Sequence, residues 1–418
     1  MLDPGRILAT GLLWCAFLGP LRAGDELLPV PPTPKKPVTD NYQGVSVTDD
    51  YRWLETPGPD VHEWSNQQNA RTRSYLDQIA ARPAIVERLQ QLESSSSTRF
   101  GALKFRDGTL FAIQVQPPKP QPFLVTLASA DDPGSARVIV DPNTIDPSGS
   151  TTIDFYVPSP DARLVAVSLS KGGSEDGSVS VFEVATGKRL PDLIPRVNGA
   201  TAGGSVAWNR DGSGFWYTRY PRSGERRDAD LGFYQQIYFH RLGSPTDQDE
   251  YALGKEFPRI AEIQLDTSDD GRYLLARVAN GDGGDYLHYM LGPDGRWHQI
   301  TRLSDQTSEA AFGPSGALYL LSRKDAPLGK VLEVAPPSFT LATAKTIVST
   351  GRSSIDGFLV AGSHLYVRYM AGGPSKLIVK NADKSERTVD IPPVSSVGEL
   401  VRAGGDRILF ESQSFVEP

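Results

Sequence analysis

The chain has a single cysteine in 418 residues, Cys15, and it sits in an N-terminal apolar stretch. No cysteine follows it, which excludes a disulfide, a thiolate nucleophile and a thiolate metal site from residue 24 onward. Basic charge is also scarce: 43 Lys and Arg stand against 50 Asp and Glu, a net charge of −7. That leaves no electrostatic footprint for nucleic acid. Local basic runs such as Pro34-Lys35-Lys36-Pro37 and Arg222 to Arg227 read as solvated loops. Long apolar runs are missing too. The longest, residues 7–18, falls short of the roughly 20 residues that span a bilayer, so no stable membrane insertion is expected. Helical patterns are absent after about residue 95, which excludes a doubly wound α/β architecture for most of the chain.

What is present is a repeat. Short apolar runs surround tight turns at Asp107-Gly108, Asp161-Ala162, Asp211-Gly212, Asp270-Gly271, Ser315-Gly316, Gly362-Ser363 and Gly404-Gly405, spaced 42 to 59 residues apart. Gly and Asp tolerate the left-handed backbone that hairpin turns need. The runs that follow, such as Leu164-Val165-Ala166-Val167, Tyr273-Leu274-Leu275-Ala276 and Leu318-Tyr319-Leu320-Leu321, are strand signals. A period near 50 with several strands per repeat predicts propeller blades. Seven turns predict an all-β, seven-bladed β-propeller with an incomplete last blade, because Pro418 falls within the last repeat.

The N-terminus carries the pattern of an export signal. Arg6 precedes the apolar stretch, and Pro20 and Ala23-Gly24 follow it. Residues 1–23 therefore read as a signal peptide, which implies a periplasmic or extracellular protein. Trp14 beside Cys15 is too large for a lipoprotein cleavage site. Residues 24–97 read as an extended and helical arm. Residues 24–45 are Pro-rich and extended, Pro29 to Pro37 especially, helices are expected over 60–80 and from Pro83 to Leu92, and the propeller occupies 98–418.

A family resemblance rests on particular strings. Asp50-Tyr51-Arg52-Trp53-Leu54-Glu55, followed by Trp64, Gln68-Asn69 and Tyr75-Leu76, resembles the N-terminal arm of the prolyl oligopeptidase family of serine peptidases. The run from Ala207-Trp208-Asn209-Arg210-Asp211-Gly212 to Arg219-Tyr220-Pro221 resembles the family's third blade. Ser268-Asp269-Asp270-Gly271-Arg272-Tyr273 resembles its fourth, and Ser414-Phe415-Val416-Glu417-Pro418 the segment before its hydrolase domain. The resemblance covers about residues 38–418. It implies a propeller that caps an α/β-hydrolase domain carrying a Ser-Asp-His triad and restricts access to short peptides, with the arm packed on that domain.

The triad is not in this sequence. Acyl transfer on such a fold needs Gly-x-Ser-x-Gly on a strand-to-helix elbow. The nearest strings, Gly203-Gly204-Ser205-Val206-Ala207 and Gly351-Arg352-Ser353-Ser354-Ile355, lack the final glycine. None of the five histidines (His62, His240, His288, His298, His364) stands in a triad context. His240 reads as structural, and His288 and His298 as surface residues flanking one hairpin. Asp49-Asp50, Asp131-Asp132 and Asp269-Asp270 read as turn chemistry. Gly281-Asp282-Gly283-Gly284-Asp285 lacks the alternating ligands of a calcium loop, and Gly172 to Gly177 reads as a hairpin loop, not a phosphate loop. No catalytic, metal or cofactor residue is assigned.

Two family positions also depart. No aromatic residue precedes Trp208 in Ala202-Gly203-Gly204-Ser205-Val206-Ala207, and Tyr286 stands where many members have arginine. Substrate-binding residues therefore stay unassigned. The expected function is the gating portion of a prolyl-oligopeptidase-like endopeptidase acting on short, possibly proline-containing peptides, inactive on its own and lacking the C-terminal α/β-hydrolase domain. The alternatives are a free-standing propeller that binds a peptide or protein, and a chain completed by a separately encoded hydrolase.

Overall fold

The computed structural model describes residues 27–95, 97–199, 201–313 and 316–416. The proposed signal segment with Cys15 lies outside the described residues, as do Ser315 of the fifth turn and Glu417-Pro418. The chain divides into two compact units between residues 96 and 97.

In the first unit, an extended segment leads into a hairpin of β1 (Val38–Tyr42) and β2 (Val45–Asp49). An extended stretch was expected as far as residue 45. The chain folds back because Gln43 and Gly44 both adopt positive φ, 53° and 89°, the geometry of a two-residue hairpin turn. Two helices follow, α1 (Pro59–Leu76) and α2 (Arg82–Ser94). Each has a proline in its first turn, where the missing N–H costs nothing. The indoles of Trp53 and Trp64 meet edge to face with ring centres 6.4 Å apart. They donate to Pro34 O (2.9 Å) and Thr33 Oγ1 (3.0 Å), which ties down the proline-rich segment. Neither helix contains a buried residue, and Tyr75, Ile79, Ile85, Leu89 and Leu92 are all exposed.

The second unit is a β-propeller of six four-stranded antiparallel blades, each a simple meander: residues 99–140, 151–194, 206–253, 261–301, 307–348 and 354–388. The expectation of seven blades is not met. The last repeat forms a hairpin of Ser396–Arg402 and Ile408–Gln413, whose strands pair only with each other among the described residues. The physical reason is that each turn signal marks only the first hairpin of a repeat. Counting turns counts hairpins, and four-stranded sheets need two more strands. The helical arm, likewise, is a minor part of the chain.

The turns themselves fall between the first two strands of each repeat. Asp161 Oδ1 accepts from Ser159 Oγ (2.7 Å) and Arg163 N (3.1 Å), and Asp270 Oδ1 from Ser268 Oγ (2.8 Å) and Arg272 N (3.0 Å). In both, burial opposes ionisation, but these bonds win and hold the carboxyl below its ordinary range. A side chain bonding its own backbone two residues on is what favours Asp in such turns.

Apolar clusters fill the space between successive blades. Phe111, Tyr156 and Val165 join blades 1 and 2, and Trp208, Phe215 and Val181 join blades 2 and 3. Ile237, Ile263 and Leu274 join blades 3 and 4. Strands buried on both faces read as continuous apolar runs, and each fully buried Leu, Ile, Val or Phe contributes about 1.5–3 kcal/mol. The hairpin fills the remaining gap. Leu400, Ile408 and Phe410 pack on blade 6, and Leu409 on blade 1.

Candidate functional site

The first strand of every blade faces the axis, and together they enclose a cavity of about 910 Å³. Its wall is charged. Lys104 and Arg106 come from blade 1, Gln264, Asp266 and Arg277 from blade 4, and Glu399 and Arg402 from the hairpin. Lys104 Nζ donates to Tyr156 O at 2.8 Å. Burial, helped by neighbouring Arg106, pulls its ammonium down to about 8 against the attraction of Asp266 and Glu399. Asp266 and Glu399 are exposed to the channel, and desolvation by its walls pushes both carboxyls up. None of Lys104, Asp266, Arg277 or Glu399 has an oppositely charged partner within ion-pair distance among the described residues. The channel is thus a polar, weakly paired conduit.

At the end away from the turns, between blades 3 and 4, lies a smaller cavity of about 230 Å³, lined by Thr201, Ala202, Tyr220, Phe233, Arg259 and Glu262 among others. Its shape follows from local sequence. Tyr220 is buried and its hydroxyl donates to Gly203 O (3.1 Å) and accepts from Ala202 N (3.0 Å). The loop over it must pass closely. A Cβ at Gly199 would lie 2.8 Å from the Tyr220 ring, and one at Gly204 would lie 2.5 Å from Val197 O. Arg259 stacks 3.5 Å over Phe233, and its Nε donates to Asp230 at 2.9 Å. Glu262 and Asp282 have no cation within ion-pair distance among the described residues.

The nearest elbow-like serines occupy strand contexts. Ser205 precedes the first strand of blade 3 and its Oγ accepts from Leu265 N at 2.9 Å. Ser353 stands in the bend just before the first strand of blade 6, Ser354–Ala361. Neither leads into a helix. His240 is fully buried, with Nδ1 2.7 Å from Asp249 Oδ1 and Nε2 3.1 Å from Asp192 Oδ1. His288, expected at the surface, is fully buried as well, with Nδ1 2.7 Å from Thr301 Oγ1. Burial, with Arg277 nearby, lowers it to about 3, so it is neutral. The misreading has a simple cause: His288 lies on the third strand of blade 4, at a position alternating inward with Met290. His298 is exposed and pairs with Asp294 at 2.9 Å. None of these hydrogen bonds involves a serine. Tyr286 lies near His288, ring centres 6.3 Å apart, outside both cavities. Among the described residues no group of three or more His, Cys, Asp or Glu side chains is placed to hold a metal, and no helix is long and apolar enough to cross a membrane.

Of the two Asp residues read as turn chemistry at 269–270, only Asp270 acts in the turn. Asp269 faces the channel and binds Arg402 Nη1 through both oxygens, at 2.8 and 3.0 Å. The channel charges had one signal in the sequence: charged residues inside otherwise apolar first strands, as in Lys104-Phe105-Arg106 and Gln264-Leu265-Asp266.

The fold is an antiparallel propeller with an axial charged channel. The comparisons give its family. Residues 31–418 match the model of the prolyl oligopeptidase N-terminal beta-propeller domain. The prolyl endopeptidase of Elizabethkingia meningoseptica is 27% identical over 403 residues, covering 94% of this chain and 54% of the relative. That of Elizabethkingia miricola is 29% identical over 404 residues with the same coverage. A solved structure from a structural and mechanistic study of two prolyl endopeptidases superposes with a TM-score of 0.77 at 25% identity, covering 88% of this chain and 54% of that one. The chain belongs to the prolyl oligopeptidase family, of which it carries the N-terminal propeller portion. It spans about half the length of the curated relatives it matches.

Proposed function

We propose that this chain is the peptide-admitting, size-restricting propeller of a prolyl-oligopeptidase-like serine peptidase that cleaves short peptides, some containing proline. The observation that carries this reading is the axial channel, a cavity of about 910 Å³ enclosed by six blades and a hairpin. The nucleophile, base and orienting carboxylate would lie in a hydrolase domain outside this sequence. The exposed apolar side chains of α1 and α2 support that partner, since covering ~400 Å² of such surface stabilises by roughly 10 kcal/mol before entropy is subtracted, and left open it is adhesive. Residues 1–23 would direct export to the periplasm or medium, on the strength of Arg6, the apolar stretch after it and Ala23. The arm over 24–97 and the propeller over 98–418 would then be the working parts.

The test is turnover. Purified residues 24–418 should leave a proline-containing chromogenic peptide uncut at every pH from mildly acidic to alkaline. Hydrolysis that survives removal of contaminating peptidases would sink the assignment of the chemistry to another domain.

A further inference from the structure

The arm binds a piece of itself. Residues 29–37 carry prolines at 29, 31, 32, 34 and 37. Each holds its φ at about −65° and offers a carbonyl without an N–H, so the segment is extended before it meets a partner and poorly suited to a strand ladder. Its partners are aromatic instead. Trp53 Nε1 donates to Pro34 O at 2.9 Å, and Trp64 Nε1 to Thr33 Oγ1 at 3.0 Å. Both indoles are half-buried, as are Pro31 and Thr33, while Pro32 and Pro34 stay exposed.

The basic end of the segment has its own partners. Lys36 Nζ lies 4.6 Å from the centre of the Trp53 ring and 3.2 Å from Asp60 Oδ2. Its backbone N donates to Asp50 O at 2.8 Å, and Lys35 Nζ lies 2.6 Å from Asp50 Oδ2. One short stretch of chain supplies all these partners: Asp50 precedes the 3-10 turn Arg52–Glu55 that carries Trp53, and the first turn of α1 carries Asp60. Indole N–H groups on a proline-rich backbone, with a ring face and a carboxylate for a lysine beyond it, are the chemistry by which aromatic grooves bind proline-rich ligands. None of these contacts requires the ligand to be tethered. They also lie near the surface, since the Lys36 and Asp60 side chains are 49% and 78% exposed.

We infer that Trp53, Trp64, Asp50 and Asp60 form a binding site for proline-rich peptides of the pattern Pro-x-x-Pro-x-Lys, which Pro31 to Lys36 fills in cis and a peptide of the same chemistry fills in trans. The tethered copy competes at an effective concentration set by its short linkage, so the site is self-inhibited and opens to a free peptide when the tethered copy is loosened. This inference concerns the arm alone and stands whether or not the peptidase reading does.

Fluorescence anisotropy tests it, with a labelled peptide of the sequence Val30 to Pro37 titrated with the full chain. In the double variant Thr33→Ala, Lys36→Ala, the tethered copy loses its hydroxyl and ammonium contacts. The peptide should bind this variant about tenfold more tightly than it binds the unmodified chain. Adding Trp53→Phe, which keeps a ring but removes the N–H, should cut that binding about tenfold, and so should alanine in place of Lys36 in the peptide. The double variant Pro31→Gly, Pro34→Gly keeps every polar contact of the tethered copy but frees its backbone. It should show a smaller gain, and it carries the test should the first variant fail to fold. No binding to either loosened variant, equal binding to these and to the unmodified chain, or indifference to Trp53→Phe or to the peptide's lysine would each overturn the site. Self-association of the unmodified chain that the loosened variants lose would overturn it too, in favour of exchange of the segment between two copies.

Discussion

Replacing His240 with phenylalanine is expected to destabilise the propeller by about 3–5 kcal/mol, the cost of leaving buried charge without its partner. His240 is fully buried between Asp249 and Asp192, and both carboxylates are almost fully buried too. Asp249 also accepts from Tyr217 Oη at 2.6 Å, and Asp192 from Gly243 N at 2.6 Å. The imidazole thus cross-links the outer strand of blade 2 to blade 3. Burial alone would expel a proton from it, but the hydrogen bonds to the two carboxylates outweigh burial and raise its pKa. The sign for stability follows. A raised folded pKa means that the contribution is fully present below the ordinary histidine value of about 6.5 and is lost as pH rises through the folded pKa. Denaturation midpoints against pH should show the gap between the native chain and His240→Phe widest in mild acid and narrowing in alkali. A gap that is constant, or widest in alkali, would mean that the imidazole acts only as a neutral spacer.

The second large effect is expected at Phe215. Its ring is fully buried, 5.1 Å from Trp208, 6.3 Å from Tyr217 and 5.5 Å from His240, centre to centre. Trp208 is itself fixed by an Nε1 bond to Val157 O of blade 2 at 2.9 Å. Phe215→Ala opens a cavity between blades 2 and 3 and should cost about 3–5 kcal/mol. Repeat architectures share interfaces mainly with neighbours. Hydrogen exchange should therefore rise in residues 151–253 and much less in 307–388. A uniform rise would show that the ring melts as one unit and that the interfaces are not separable.

These two positions also show what the sequence made legible. The Trp208-to-Tyr220 string carried both the blade and the family resemblance, because apolar and turn residues at a fixed period report local strand chemistry directly. The count of seven blades was too high, because a turn signal marks a hairpin and not a blade, and the repeat around Gly404-Gly405 contributes a hairpin alone. The fold-back at Gln43-Gly44 was hidden among prolines, since a hairpin there depends on one two-residue turn. His288 was misplaced because one inward position on a strand has no marker when the residue is polar. Its neighbours Thr301 and Thr307, both within hydrogen-bond distance of Nδ1, lie on two other strands. The channel set is the largest omission. Lys104, Asp266, Glu399 and Arg402 are separated by up to some 300 residues of sequence and converge only when the ring closes. The link between Asp269 and Arg402, 133 residues apart, is of the same kind.

The central claim is that the chain gates a peptidase whose reacting groups lie outside it. Labelling with a fluorophosphonate, which marks activated serines, tests this most directly when carried out on the native polypeptide from its source and read by peptide mass spectrometry. The account predicts a labelled serine on a polypeptide that contains the propeller, at a site outside residues 27–416. A labelled serine within those residues would contradict it.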